Sequence, residues 1–287
     1  FLGLYPLLQY LDTPAEILPQ SYQYISMIVT CVGVSFAYNL FAGLLRSIGD
    51  SRKSVPELLP SLKHFKWNKA LYADLLEQGL AMGLMSSIVS IGSVILQSSV
   101  NTFGAVIISA QTAARRIMAF ALLPMTAISS AMTTFASQNL GAKRPDRIVQ
   151  GLRIGSRLSM SWAGFICIFL LFASPTLISF LASSTDGYLV ENGSLYLQIS
   201  SAFYPILSLL LIYRNCLQGL GQKVLPLVSS FIELIGKIAF VVMIIPWAGY
   251  RGVILCEPLI WVAMTTQLYF SLFRHPLIKE GKEILVV

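Results

Sequence analysis

The sequence predicts an all-α, polytopic membrane protein of the helical-bundle kind. Three observations carry this. Of the 287 residues 55% are apolar and only 11% are charged, far from the balance of a soluble domain. Apolar runs long enough to cross a hydrocarbon core, roughly 20 residues each, recur along the chain. The net charge of +7 would suit nucleic acid, but here it follows the alternation of spans and loops. The expected partner is therefore the lipid bilayer, and no nucleic acid is expected.

Taken in order, residues 1–11, "FLGLYPLLQYL", have the composition of a span at half the length. They lack a basic leader and a small-residue cleavage site, so they read as the tail of a helix rather than a signal peptide. "DTPAEI" offers Thr13 as N-cap, Pro14 at the first helical position and Glu16 at the third, a capping-box start. Spans are expected over residues 22–45, 76–100, 105–137, 154–182, 194–218, 225–246 and 252–273. The polar passage between the first two contains "SVPELLPSLKHF", twelve residues with two prolines, too short to cross a bilayer even once. "GAKRPDRIVQGLR", residues 141–153, reads as an amphipathic elbow lying on an anionic leaflet. Anchoring alone is the plainer reading of its charge.

One set of loops holds 15 of the 20 basic residues, and the opposite loops hold only Arg251. By the positive-inside rule the basic loops and the C-terminus are cytoplasmic, in a multi-pass protein of the cell membrane. Cys31, Cys167, Cys216 and Cys256 fall inside spans without a C-x-x-C spacing, and His64 and His275 lie in basic loops. No disulfide, metal site or cofactor is implied. Nor does any span carry H-E-x-x-H or a P-loop lysine, so an enzyme is not expected.

Three segments carry a family resemblance. "FASQNLGAKRPDRIVQGLR" (residues 135–153) resembles the Q-N-x-G-A-x-x-x-x-R segment after the eighth helix of the multidrug and toxic compound extrusion (MATE) family. "YNLFAGLLRSIGDSRK" (38–53) and "YRNCLQGLGQ" (213–222) resemble the ends of its fourth and tenth helices. The resemblance implies a twelve-helix transporter of two six-helix lobes related by a repeat. On that plan residues 1–60 are a remnant of the N-terminal lobe, 61–75 an inter-lobe linker and 76–287 the C-terminal lobe, with helices one, two, five and six absent. A direct search for the repeat is uninformative: a shift of 172 positions gives four identities in 42 aligned residues, near chance. The function implied is secondary antiport, exporting amphipathic and often cationic drugs or metabolites in exchange for H+ or Na+. Its partners are small organic substrates and either the missing helices or a second copy of the chain. A lipid-linked precursor flippase, a seven-helix receptor suggested by span count, and a truncated membrane protein that transports nothing remain as alternatives.

Site residues follow from helical faces. Gly79, Gly83, Ser86, Ser90, Ser93, Gln97 and Asn101 recur at steps of three and four and share one face. Gln97 and Asn101 are expected to line a hydrated cavity, while the small residues also suit helix packing. Thr112 and Arg116 continue that wall on the next span. Arg115 points about 100° away, which leaves Arg116 as the cavity residue. Glu233 and Lys237, four apart with the acid first, form a favourable helical pair. With Arg214 they are expected to make a structural charge cluster. Glu257 precedes Pro258, which frees a backbone carbonyl inside its span; it is a possible ion-coupling acid, or else a carboxylic acid kept neutral by burial.

Overall fold

The computed structural model describes Tyr5 and residues 18–47, 69–183 and 186–285. The chain divides into two units, Phe1–Phe65 and Lys66–Val287. The half-length segment at 1–11 (apart from Tyr5), the Thr13 cap and the two-proline junction lie outside the described residues. In the first unit one helix, α1, runs over Leu18–Ser47. Along it Thr30 Oγ1 donates to the Ser26 carbonyl at 2.8 Å, and Ser26 donates to the Tyr22 carbonyl. Such back-bonding hides hydroxyls that an apolar surrounding would leave unsatisfied.

The second unit is a bundle of helices: α2 (Lys69–Asn101), α3 (Ala105–Gly141), α4 (Pro145–Ala182), α5 (Gly187–Ala202), α6 (Tyr204–Gly219) and α7 (Val224–Ala239). A π-turn over Phe240–Ile244, a short α8 (Ile245–Ala248), α9 (Tyr250–Phe273) and α10 (Pro276–Ile284) complete it. Tight connections use positive-φ glycine where the chain reverses: Gly104 (φ 86°) precedes α3 and Gly249 (φ 60°) precedes α9. Asp186 caps α5 by accepting from the Tyr188 amide at 3.0 Å. Among the described residues five helical stretches are long and apolar enough to cross a membrane, one of them α7 through α8, and α5 with α6 makes a sixth if the bent pair counts as one; the apolar part of α1 is Tyr22–Tyr38.

Two expectations about continuity are corrected and a third is refined. The span at 194–218 bends by 54° between α5 and α6, because Pro205 lacks an amide hydrogen and disfavours helical geometry just before it. The span at 225–246 is present as Val224–Ala248, its helix widened by the π-turn, after which Pro246 sits at the first turn of α8; the wider turn accommodates a proline that cannot donate to the turn before it. The elbow at 141–153 is no separate element. α4 starts at Pro145 and runs unbroken for 38 residues, about 57 Å at 1.5 Å per residue, so the basic residues ride on the first turns of one long helix. The start is well specified: Pro145 takes the first position, and Arg144 meets Asp146 through Nε–Oδ1 (2.9 Å) and Nη2–Oδ2 (2.8 Å). That bond to Asp146, with its charge, holds the Arg144 guanidinium above its ordinary value.

α3 is the central strut, packed on α4, α5 and α6, while α7 lies between α2 and α9. Met125, Leu152, Ile212, Leu217 and Leu268 form the main core. Ala110, Ala114, Ile178, Tyr196 and Ile254 form a second one between α3, α4, α5 and α9. At Gly219 a Cβ would stand 2.5 Å from the Thr133 carbonyl oxygen, so the backbones of α3 and α6 touch. Thr133 Oγ1 donates to Asn215 Oδ1 at 2.8 Å across the same crossing.

Candidate functional site

The bundle interior holds a charge network assembled from five helices. At its centre is Lys237 of α7, whose side chain is 3% exposed. Its Nζ lies 2.8 Å from Glu233 Oε1, one helical turn back, and 3.8 Å from Glu257 Oε1 on α9. It also donates to Ser93 Oγ of α2 at 3.3 Å. α2 can come this near because residue 92 is glycine; a Cβ there would sit 3.1 Å from Lys237 Cδ. Glu257 is held from two further sides. Arg115 Nη2 of α3 is 3.5 Å from its Oε1, and the hydroxyl of buried Tyr196 on α5 donates to its Oε2 at 3.1 Å. Two acids thus face two cations, and one ammonium is shared by carboxylates on different helices.

A low-dielectric interior tolerates such charges only when each is compensated, and removing one partner costs about 3–5 kcal/mol. The network also has open valences. Arg115 Nε and Nη2, the Tyr250 hydroxyl and both amide atoms of Gln111, one turn before Arg115, are buried without a hydrogen-bond partner. Among the described residues no group of three His, Cys, Asp or Glu is placed to hold a metal.

The structure redistributes the residues singled out in the sequence. Glu233 and Lys237 do pair, but Arg214 spends Nε and Nη2 on Ser229 Oγ at 3.2 and 2.8 Å, and no Arg214–Glu233 ion pair appears among the described residues. The reason is reach: Ser229 is one turn nearer along α7. Glu257, singled out as a possible ion-coupling acid, belongs to the same network as Lys237. Of the two adjacent arginines it is Arg115 that enters the network, while Arg116 is exposed. Arg115 was passed over on angular grounds. The buried alanines at 110, 113, 114 and 121 mark the packed side of α3 and were the available signal. Tyr196, enclosed by α3 and α9, carried none.

The other sequence-derived residues lie on an exposed, mixed face of α2 and α3. Gln97 Nε2 donates to Asn101 Oδ1 at 3.0 Å, and Thr112 Oγ1 donates to the Ile108 carbonyl at 2.7 Å. Ser86, Ser90, Asn101, Thr112, Arg116, Thr126 and Ser130 are exposed, interleaved with exposed Ile91, Val94, Phe120 and Leu123. Between Glu77 and Asp146 the chain contains no acidic residue.

Comparison with known proteins agrees with this architecture. The chain is 25% identical over 222 residues to the probable multidrug resistance protein YpnP of Bacillus subtilis, covering 77% of this chain and 47% of that protein. It is 26% identical over 170 residues to the FAD transporter of Shewanella oneidensis, covering 57% and 36%. The chain thus spans about half or less of the length of these curated relatives. Among solved structures, a MATE transporter crystallised in the bent conformation superposes with a TM-score of 0.71 at 18% identity, over 99% of this chain and 61% of that one. The MatE family model matches residues 81–243, more than half of the chain and all of the charge network except Glu257, and the chain belongs to that family of transporters.

Proposed function

We propose that the chain supplies one lobe of a secondary active exporter that moves amphipathic organic compounds out of the cell in exchange for a proton or a sodium ion. The observation that carries this is the mixed face of α2 and α3 backed by the buried Lys237–Glu257 network. That face offers hydroxyls and amides beside Phe120 and Leu123, the chemistry an amphipathic molecule needs. The network places an acid, Glu257, where coupling-ion binding would change the charge of the wall behind it. Gln97, Asn101, Thr112 and Arg116 line the cavity, and the missing helices of the twelve-helix plan, or a second copy, form its opposite wall. The protein sits in the cell membrane with its basic loops and C-terminus cytoplasmic. The relatives named as a multidrug resistance protein and an FAD transporter support export of organic molecules. Cationic drugs, which the family resemblance implies, would need a carboxylate that this wall does not present.

The test is efflux of amphipathic dyes from energised cells expressing either this chain or a version with the four further helices restored. Alternating access needs two lobes rocking about a shared site. The expected result is gradient-dependent efflux by the longer version, abolished by an uncoupler or a sodium ionophore and reduced at least about tenfold by Glu257→Gln, and none by the chain alone. Efflux by the chain alone would overturn the one-lobe reading. Efflux by the longer version that ignores both ion gradients would overturn antiport.

A further inference from the structure

Arg116 is an uncompensated charge on the exposed face of α3. Its side chain is exposed, and it has neither an ion-pair nor a hydrogen-bond partner among the described residues. It lies about 17 Å from the N-terminal end of α3 at 1.5 Å per residue, too deep for easy escape to an aqueous surface. Its neighbours offer no relief. Glu257 is already shared by Arg115 and Lys237, Glu233 is taken by Lys237, and no acid occurs in the sequence between Glu77 and Asp146. Around the first third of α3, then, three cations (Arg115, Arg116 and Lys237) stand against two carboxylates, Glu233 and Glu257, and the excess is on the exposed side.

We propose that the exported substrate carries an oxyanion, a phosphate or a carboxylate, which Arg116 binds on the exposed face of α2 and α3. The inference rests on the reading of that face as the export wall. A guanidinium presents a planar fork of N–H donors that matches two oxygens of a phosphate or carboxylate, and such charge-assisted pairs are the strong ones in a dry site. Phe120 lies one turn further along the exposed side and supplies an apolar surface for the body of the same molecule. An organic cation brought to this wall would meet like charge and no acid.

The experiment uses the purified chain in lipid nanodiscs and two probes that share a ring system, riboflavin 5′-phosphate and riboflavin, with binding read by flavin fluorescence anisotropy. The phosphate form is expected to bind at least about tenfold more tightly. Arg116→Gln removes that preference and Arg116→Lys keeps part of it. Millimolar diphosphate or citrate displaces the probe, and the stronger competitor tells a phosphate from a carboxylate site. Equal affinity for the two flavins, a preference that survives Arg116→Gln, or no binding of the phosphate form overturns the proposal. Thermal melts check that Arg116→Gln is folded, as expected for an exposed side chain without contacts. Because equilibrium binding needs no ion gradient, failed efflux with an intact phosphate preference counts against antiport and leaves the oxyanion site standing.

Discussion

α3 and α4 are neighbours of nearly equal length, 37 and 38 residues, yet their exposed faces differ. α4 turns Leu158, Phe165, Ile168, Phe169 and Phe172 outward. α3 turns out Thr112, Arg116, Thr126 and Ser130, with Phe120 and Leu123 between them. The α4 face asks nothing of its surroundings, as suits acyl chains. The α3 face asks for partners. Its hydroxyls find them within the helix, as when Thr126 Oγ1 donates to the Leu123 carbonyl at 2.8 Å, but a guanidinium has five donors and no such recourse. Beyond the basic first turns of α4, where Arg147, Arg153 and Arg157 are exposed, what separates the two faces is the charge of Arg116 more than the overall polarity, since hydroxyls on a helix can be made cheap and an arginine cannot.

The harshest test of this contrast removes what stands behind the α3 face. Lys237→Met leaves Glu233 and Glu257 buried without their shared cation, and should cost about 3–5 kcal/mol of stability. Unfolding in detergent measures it, and Glu257→Gln added to the same variant should recover part of the loss. Wild-type melting of Lys237→Met would detach the face from the network. A milder test compares the faces at one depth. Ile168 and Ala119 are both exposed and both about 21 Å from the helix ends that meet on the same side, Ala182 and Ala105. Ile168→Asp should cost about 3 kcal/mol on an insertion scale. Ala119→Asp, three residues from Arg116, should cost less than about 1 kcal/mol. Folded yield and melting temperature decide, and equal penalties would erase the distinction.

The smallest effect lies away from both faces. Between α9 and α10, His275 Nε2 is 3.2 Å from Gln222 Nε2, and burial lowers the imidazole below its ordinary value. A histidine kept neutral in the fold contributes stability above its unfolded value of about 6.5, and that contribution is lost as pH falls through the lower folded value. Amide exchange along α10 should therefore quicken by about two- to threefold between pH 7.5 and 5.5 once corrected for the intrinsic rate. His275→Gln should flatten the change. A response of equal size on α3 and α4 would deny that the effect is local.

How much of this was legible beforehand depended on range. Apolar length located the long helices, and the four-residue spacing of Glu233 and Lys237 foretold their pairing, because both signals are local. Helix periodicity also separated Arg115 from Arg116 correctly, but it gives the angle between two side chains and not which of them meets the bundle. That choice was made by the alanine side of α3 closing on α5 and α9. The Glu257–Lys237 and Arg214–Ser229 contacts join different helices, so no spacing along the chain announces them. The break at Phe203 and the π-turn before Pro246 were missed although a proline marks each. Inside an apolar run a proline reads as a tolerated kink, and its actual cost is settled by what the neighbouring helices leave room for.

The crossing of α3 and α6 at Gly219 has a mechanical consequence. There the obstacle to any sliding is main chain, the Thr133 carbonyl, reinforced by the Asn215 bond. Where α2 meets α7 the corresponding neighbour of Gly92 is the methylene stem of Lys237, a side chain that moves only if its ammonium leaves Glu233 and Ser93. The first joint behaves as a weld and the second as a latched hinge. Force applied to the lobe would turn α3, α4 and α6 as one piece, and the compliance would be concentrated in α2, the helix that bears Gln97 and Asn101.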